Sequence, residues 1–142
     1  MSSIFFRKIE KRDLEEVFVL LNQLKEKDID SIDKESSWKN FISNTSANSI
    51  VGIYDDKVVA YGSIIIEHKI RGDIAGHIED IVVDAAVKGM MWGVILVKEL
   101  VQIGKTKGCY RITLFCDKKL TKFYERNGFK VNNVMMKAFL DN

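Results

Sequence analysis

The sequence predicts an α/β (α+β) fold, a mixed sheet with helices on both faces, and three observations carry that reading. Two stretches repeat apolar residues at helical spacing: Leu14, Val17, Leu20, Leu21 and Leu24, then Val94, Val97, Leu100 and Val101. Apolar runs over 49–54, 58–67, 76–83 and 110–116 read as strands bounded by turn residues. These two kinds of run alternate along the chain as β-α-α-β-β-β-α-β-α-β-β, which places helices against a shared sheet. A chain of 142 residues is enough for one core, and no linker, repeat or low-complexity tract divides it, so one domain over 1–142 is expected.

Residues 4–10 form the expected first strand. Asp13 stands where an N-cap belongs, with Glu15 and Glu16 well placed in the first turn of a helix over 13–27. Trp38, Phe41 and Ile42 share one face of a second helix over 35–44. Strands 49–54 and 58–67 flank Asp55-Asp56-Lys57, a hairpin turn. Gly72-Asp73 marks a further turn before strand 76–83. The helix over 93–107 turns Lys98, Glu99, Gln102 and Lys105 outward and ends at Gly108, a C′ glycine. Strand 110–116 and a short helix over 121–127 follow. Residues 129–132 and 134–140 read as two closing strands around Asn132-Asn133.

Charge excludes one class of function. The net charge is +2 and the basic residues are scattered, so no nucleic-acid-binding stripe is expected. The opening residues lack the apolar region of a signal peptide, and no apolar run approaches the ~20 residues of a membrane span. Cys109 and Cys116 match no metal spacing, and in one strand they lie roughly 23 Å apart, beyond disulfide reach. They read as reduced thiols of a cytoplasmic protein, and no metal is expected.

The chemistry concentrates where strand 76–83 passes through a short loop, Lys88-Gly89-Met90-Met91-Trp92-Gly93, into a helix. Free N–H groups at a helix start, and glycines that admit a close approach, suit a pyrophosphate. Two glycines in a tight turn equally suit a plain connection. The segment resembles the Gln/Arg-x-x-Gly-x-Gly/Ala motif by which the GNAT superfamily of acetyltransferases binds coenzyme A. Lys88 stands at its first position and Met91 at its middle glycine.

Further stretches narrow the likeness. Residues 65–69 (Ile-Ile-Glu-His-Lys), 76–83 (Gly-His-Ile-Glu-Asp-Ile-Val-Val), 108–114 (Gly-Cys-Tyr-Arg-Ile-Thr-Leu) and 122–129 (Lys-Phe-Tyr-Glu-Arg-Asn-Gly-Phe) resemble the glucosamine-6-phosphate N-acetyltransferase family. That resemblance covers nearly the whole chain. It implies a GNAT-type, mostly antiparallel mixed sheet and direct attack of a primary amine on acetyl-CoA, with glucosamine 6-phosphate as acceptor. It also implies a homodimer whose C-terminal strands reach the partner's site.

By the same resemblance, Ile81, Val82, Val83, residues 88–93, Tyr124, Glu125 and Arg126 hold the cofactor. Backbone groups of Asp80, Ile81 and Val82 orient the thioester, and Tyr124 protonates the departing thiolate. Glu79, Asp80, Lys69 and position 115 lie at the acceptor. Read without the family, Tyr124 is a helix tyrosine packed by Leu120 and Phe123, and Lys69 is a solvated lysine. His68 and His77 read as structural. Strand alternation puts Glu79 and Asp80 on opposite faces. Polar family positions have become apolar here: an acid is replaced by Phe115, an asparagine by Leu120 and a phosphate-binding arginine by Phe139. A different amine acceptor, or a coenzyme A-binding protein with impaired activity, are therefore the alternative expectations.

Overall fold

Backbone ladders set the architecture in a computed structural model that describes residues 3–86 and 90–141. Five strands, β1 (Phe5–Lys8), β2 (Ala47–Tyr54), β3 (Lys57–His68), β4 (Ile74–Val83) and β5 (Arg111–Leu114), lie side by side in chain order. The first four pair antiparallel and β4 pairs with β5 in parallel, the mixed and mostly antiparallel sheet that was expected. The β2–β3 hairpin turns on Asp55 and Asp56 at φ 52° and 61°, the left-handed pair whose twist matches its strands.

Four helices complete the chain: α1 (Leu14–Leu21), α2 (Lys34–Ser43), α3 (Trp92–Thr106) and α4 (Thr121–Arg126). On one face, Val17 and Leu20 of α1, with Trp38 and Phe41 of α2, cover Val51, Ile53, Val58, Tyr61 and Val82. On the other, Leu96 and Leu100 of α3 cover Ile50, Ala60, Ile64, Ile66 and Ile78. Both leucines are fully buried, which stabilises the fold by about 2–3 kcal/mol each. α3 approaches closely because Gly104 lacks a side chain; a Cβ there would stand 2.6 Å from Ile112 Cδ1. Gly108, at φ 86°, ends the helix as expected, with Cys109 N–H donating to the Gly104 carbonyl at 3.0 Å.

Three expectations are corrected. The first helix runs over Leu14–Leu21, not 13–27, because the Asn22 side chain takes both the N–H and the carbonyl of Lys27 and folds the following turn away. Asp13 holds the N-cap position of that helix, but its side chain caps none of the helix's N–H groups. It closes a 3₁₀ turn over Lys11–Asp13, accepts from the Glu10 N–H at 2.8 Å and receives both Arg7 nitrogens at 2.8 Å. The strands read over 129–132 and 134–140 are absent; up to residue 141 this segment forms no strand. Its apolar residues Val131, Val134, Met136, Phe139 and Leu140 stand exposed. Alternation supplies an apolar edge, but a strand also needs a partner for its backbone groups, and among the described residues no strand pairs with it.

Candidate active site

The site starts from a break in the β3–β4 ladder. Ser63 pairs with Glu79 and Tyr61 pairs with Val82, so β4 carries one residue more than β3 between those pairs. The core confirms the slip: Ile78 packs under α3 while Val82, four residues on, packs under α1. In a regular strand they would share a face. The bulge centres on Asp80, held at φ 55°, a left-handed conformation that a non-glycine residue adopts only under local constraint. The alternation expectation for Glu79 and Asp80 fails here. Glu79 faces the α1 side with His77, and the left-handed Asp80 is the extra residue that breaks the alternation before Val82. Both carboxylates are exposed.

Just beyond the bulge, the sheet opens. β5 pairs with β4 only from Ala75 to Ile78, and β4 continues through Val83 without it. Alternate residues of that stretch direct backbone N–H and carbonyl groups toward the gap, where no β5 residue meets them. Ile81, Val82 and Val83 therefore supply an unpaired edge, the feature their expected role requires.

The start of α3 faces this gap. Met91 sits at φ 58° immediately before the helix, and Met90 and Met91 are exposed. Trp92 is buried against Tyr54, ring centroids 5.0 Å apart, so its indole is core and only its backbone is available. Gly93 faces the Phe123 ring of α4, and a Cβ placed there would meet it at 3.4 Å, an ordinary van der Waals contact. Lys88 and Gly89 lie outside the described residues. On α4, Glu125 and Arg126 are exposed.

Tyr124 is buried at 8% exposure between Phe123 and Phe129, both edge-on to it. Burial, with a smaller contribution from Cys116, pushes its hydroxyl above the ordinary tyrosine value. It is a weaker acid than a free phenol and holds its proton throughout the neutral range. The packing reading and the proton-donor reading of Tyr124 thus describe the same residue.

On the α1 side of the sheet, α1 and α2 cover β1 to β3 but leave β4 and β5 bare. A groove of about 670 Å³ lies there, lined by Ile65, Glu67, His68, His77, Arg111 and Thr113 among others. His77 is fixed on three sides. Its Nδ1 is 2.8 Å from Thr113 Oγ1, its Nε2 is 3.1 Å from Glu79 Oε1, and its ring lies 4.7 Å from that of Phe115. Phe115 itself is 59% exposed. Behind the bulge, Ser49 and Ser63 share a buried hydrogen bond of 2.7 Å beside Tyr61.

Not all the expected residues converge. Lys69 lies at the β3–β4 turn, at the opposite end of β4 from the gap, paired to Glu67 at 3.1 Å. Phe139 meets only Lys137, whose ammonium sits 5.3 Å from its ring centre. The contact of Thr113 with His77 was not legible, because it depends on the parallel β4–β5 register that sets the two opposite each other. Among the described residues no cluster of three His, Cys, Asp or Glu could hold a metal, and no helix is long and apolar enough to cross a membrane. Cys109 and Cys116 are free.

Comparison with known proteins bears on this geometry. Residues 11–129 match the acetyltransferase (GNAT) family. Glucosamine 6-phosphate N-acetyltransferase 1 of Oryza sativa subsp. japonica is 33% identical over 92% of this chain and 83% of its own length. A probable glucosamine 6-phosphate N-acetyltransferase 2 from the same plant is 37% identical over 60% of this chain, a match that spans about half of that relative (52%). The crystal structure of glucosamine-6-phosphate N-acetyltransferase from Arabidopsis thaliana superposes with a TM-score of 0.87 at 30% identity, covering 98% of this chain and 99% of that one.

Proposed function

The chain belongs to the GNAT acetyltransferase family, and from that footing we propose that it moves an acetyl group from acetyl-CoA to a primary amine, with glucosamine 6-phosphate as the leading acceptor. We read residues 1–142 as one such domain. The observation that carries the reading is the bulge at Asp80 beside a β4 edge that β5 leaves unpaired beyond Ile78. The names of the plant relatives supply the acceptor.

Acetyl-CoA brings the activated acetyl group; the chain's residues divide the remaining work. Residues 88–93, which lead into the positive end of α3, would bind the cofactor's phosphates together with Arg126 of α4, and Glu125 would be a further cofactor contact. Backbone groups of Ile81, Val82 and Val83 hold its arm, and a main-chain N–H at the bulge meets the charge that develops on the carbonyl oxygen. Glu79, with Asp80 beside it, takes a proton from the arriving ammonium and frees its lone pair. As the C–N bond forms and the C–S bond breaks, Tyr124 gives its hydroxyl proton to sulfur and regains one from water. The remaining amine proton leaves through the open groove.

Phe115 favours a second reading, transfer to a less anionic amine, because its exposed ring offers contact to carbon rather than to charge. Lys69 would serve an acceptor phosphate only across a subunit boundary. That agrees with a homodimer in which segment 129–141 covers its exposed apolar residues against a second copy. The free thiols suit a cytoplasmic protein.

The test is thiol release from acetyl-CoA with glucosamine 6-phosphate, glucosamine, spermidine and an aryl amine. Turnover led by the sugar phosphate supports the first reading, and turnover led by an unphosphorylated amine supports the second. Stabilisation by acetyl-CoA with no turnover would leave a cofactor-binding protein of impaired activity.

A further inference from the structure

The connection from β4 to α3 is anchored at both ends. At the α3 end, Trp92 is buried against Tyr54. At the β4 end, the Asp84 N–H donates to the Val59 carbonyl at 2.8 Å, one residue past the strand. The Asp84 side chain then accepts from the Ala86 N–H at 3.0 Å, a turn that leads the chain off the sheet. One side chain from elsewhere holds this turn. Gln23, just past the end of α1, accepts from the Ala85 N–H at 3.0 Å and donates from Nε2 to Asp84 Oδ1 at 3.4 Å. A backbone N–H only donates and an ionised carboxylate only accepts, so a single amide with both functions suits the place.

We propose that Gln23 is a positioning residue for coenzyme A: it ties Asp84 and Ala85 to the end of α1 and so sets where the chain leaves β4 for the phosphate-binding residues. The inference rests on the acetyl-transfer reading above. Three features carry it. β5 leaves β4 after Ile78 and the β3 pairing ends at Val83, so strand pairing does not hold Ala85. Gln23 is itself held. The Asn22 side chain bonds both the N–H and the carbonyl of Lys27, and the Gln23 N–H donates to the Leu20 carbonyl at 3.0 Å. Gln23, Ala85 and Ala86 are exposed, so these contacts add little to the core and act chiefly on the direction of the chain.

In the cofactor-free protein, Gln23→Leu should speed hydrogen exchange at the Ala85 amide with the melting temperature nearly unchanged. Its Kd for coenzyme A, measured by calorimetry, should rise about tenfold, within the reach of two lost hydrogen bonds. KM for acetyl-CoA should rise in parallel while kcat at saturation is kept. An exchange of side chains separates position from charge. Gln23→Glu sets a carboxylate against Asp84 and should weaken coenzyme A at least as much. Adding Asp84→Asn gives that carboxylate a donor and should return Kd to within about twofold of wild type. Asp84→Asn alone keeps its Oδ1 acceptor and should leave Kd unchanged. This pair decides the matter even where Gln23→Leu folds poorly. A wild-type Kd in folded Gln23→Leu, a failed rescue, or tightening by Asp84→Asn alone as large as the rescue would overturn the positioning role and leave acetyl transfer intact. No binding of coenzyme A by the wild-type protein would overturn the acetyl-transfer reading and this role together.

Discussion

The two faces of the sheet differ in what their side chains are free to do. Under α3, residues of β2, β3 and β4 are buried in one apolar cluster. Opposite, α1 and α2 cover three strands and stop, so that β4 and β5 present His77, Arg111 and Thr113 to a groove, with Glu79 and Phe115 beside His77. Burial demands apolar residues and tolerates few changes. A bare face makes no such demand, and polar groups there are available for chemistry. The lesson is that the site lies where a helix layer ends. Substitutions can test how cleanly the two faces separate.

Tyr124 is the sharpest case, because it is packed like the first face while its proposed role is chemical. Tyr124→Phe keeps the ring and removes only the hydroxyl. It should lower kcat by about 10²–10⁴, the usual contribution of a positioned acid, with the melting temperature nearly unchanged. A full kcat would assign Tyr124 to packing alone. Leu100→Ala should do the reverse. This fully buried residue of α3 faces no groove, and its truncation should destabilise by about 3 kcal/mol while the remaining folded enzyme keeps its kcat. Denaturant unfolding with activity measured per folded molecule separates the two effects.

The ion pair beneath α1 ranks next. Burial opposes charge on Asp13, yet the hydrogen bonds from Arg7 and from the Glu10 N–H, with the Arg7 charge, hold its carboxyl below the ordinary value of 3.8. The unfolded chain therefore binds this proton more readily than the folded one. The stabilisation is fully present above pH ~4 and drains away as pH falls through the folded value. Asp13→Asn should cost about 2 kcal/mol at neutral pH, less than a fully buried pair because Arg7 is partly exposed, and should flatten the acid limb. An unchanged acid limb would show that other carboxylates govern acid unfolding.

Much of this was legible in the sequence, for reasons that differ by element. Helix α3 was read to within one residue because apolar spacing, polar face and Gly108 agree. The β2–β3 hairpin was legible because two aspartates suit its left-handed turn. Asn22 was not read as a stop, since its side-chain bonds to Lys27 compete with a helix that the leucine spacing favours. The closing strands were read from alternation, which reports a face but not a partner. At the site, Glu79 and Asp80 were named through resemblance, and the break in strand alternation at Asp80 was not foreseen. A bulge is a property of two strands in register, and residues 79–80 alone do not encode the slip against Tyr61 and Ser63.

Phe115 should give the smallest effect, and it tests the bare face most directly. The residue is 59% exposed and its aromatic partner is the His77 ring. Phe115→Ala removes no buried apolar surface of consequence, so stability should stay within about 0.5 kcal/mol. What it removes is the exposed ring that packs on His77, a residue of the groove wall. One aromatic contact is worth about 1 kcal/mol beyond its area, which corresponds to a roughly fivefold rise in KM for the acceptor. KM for acetyl-CoA should not move, because the cofactor's expected contacts lie on the β4 edge and α3. The size of the rise should also depend on the acceptor: large for an amine presenting carbon to the ring, small for one held chiefly by its phosphate. Equal rises with glucosamine 6-phosphate and with an aryl amine would mean that Phe115 acts through His77 rather than on the acceptor. A fall of several degrees in melting temperature would instead make position 115 part of the core, and the boundary between the two regions would have to be redrawn past β5.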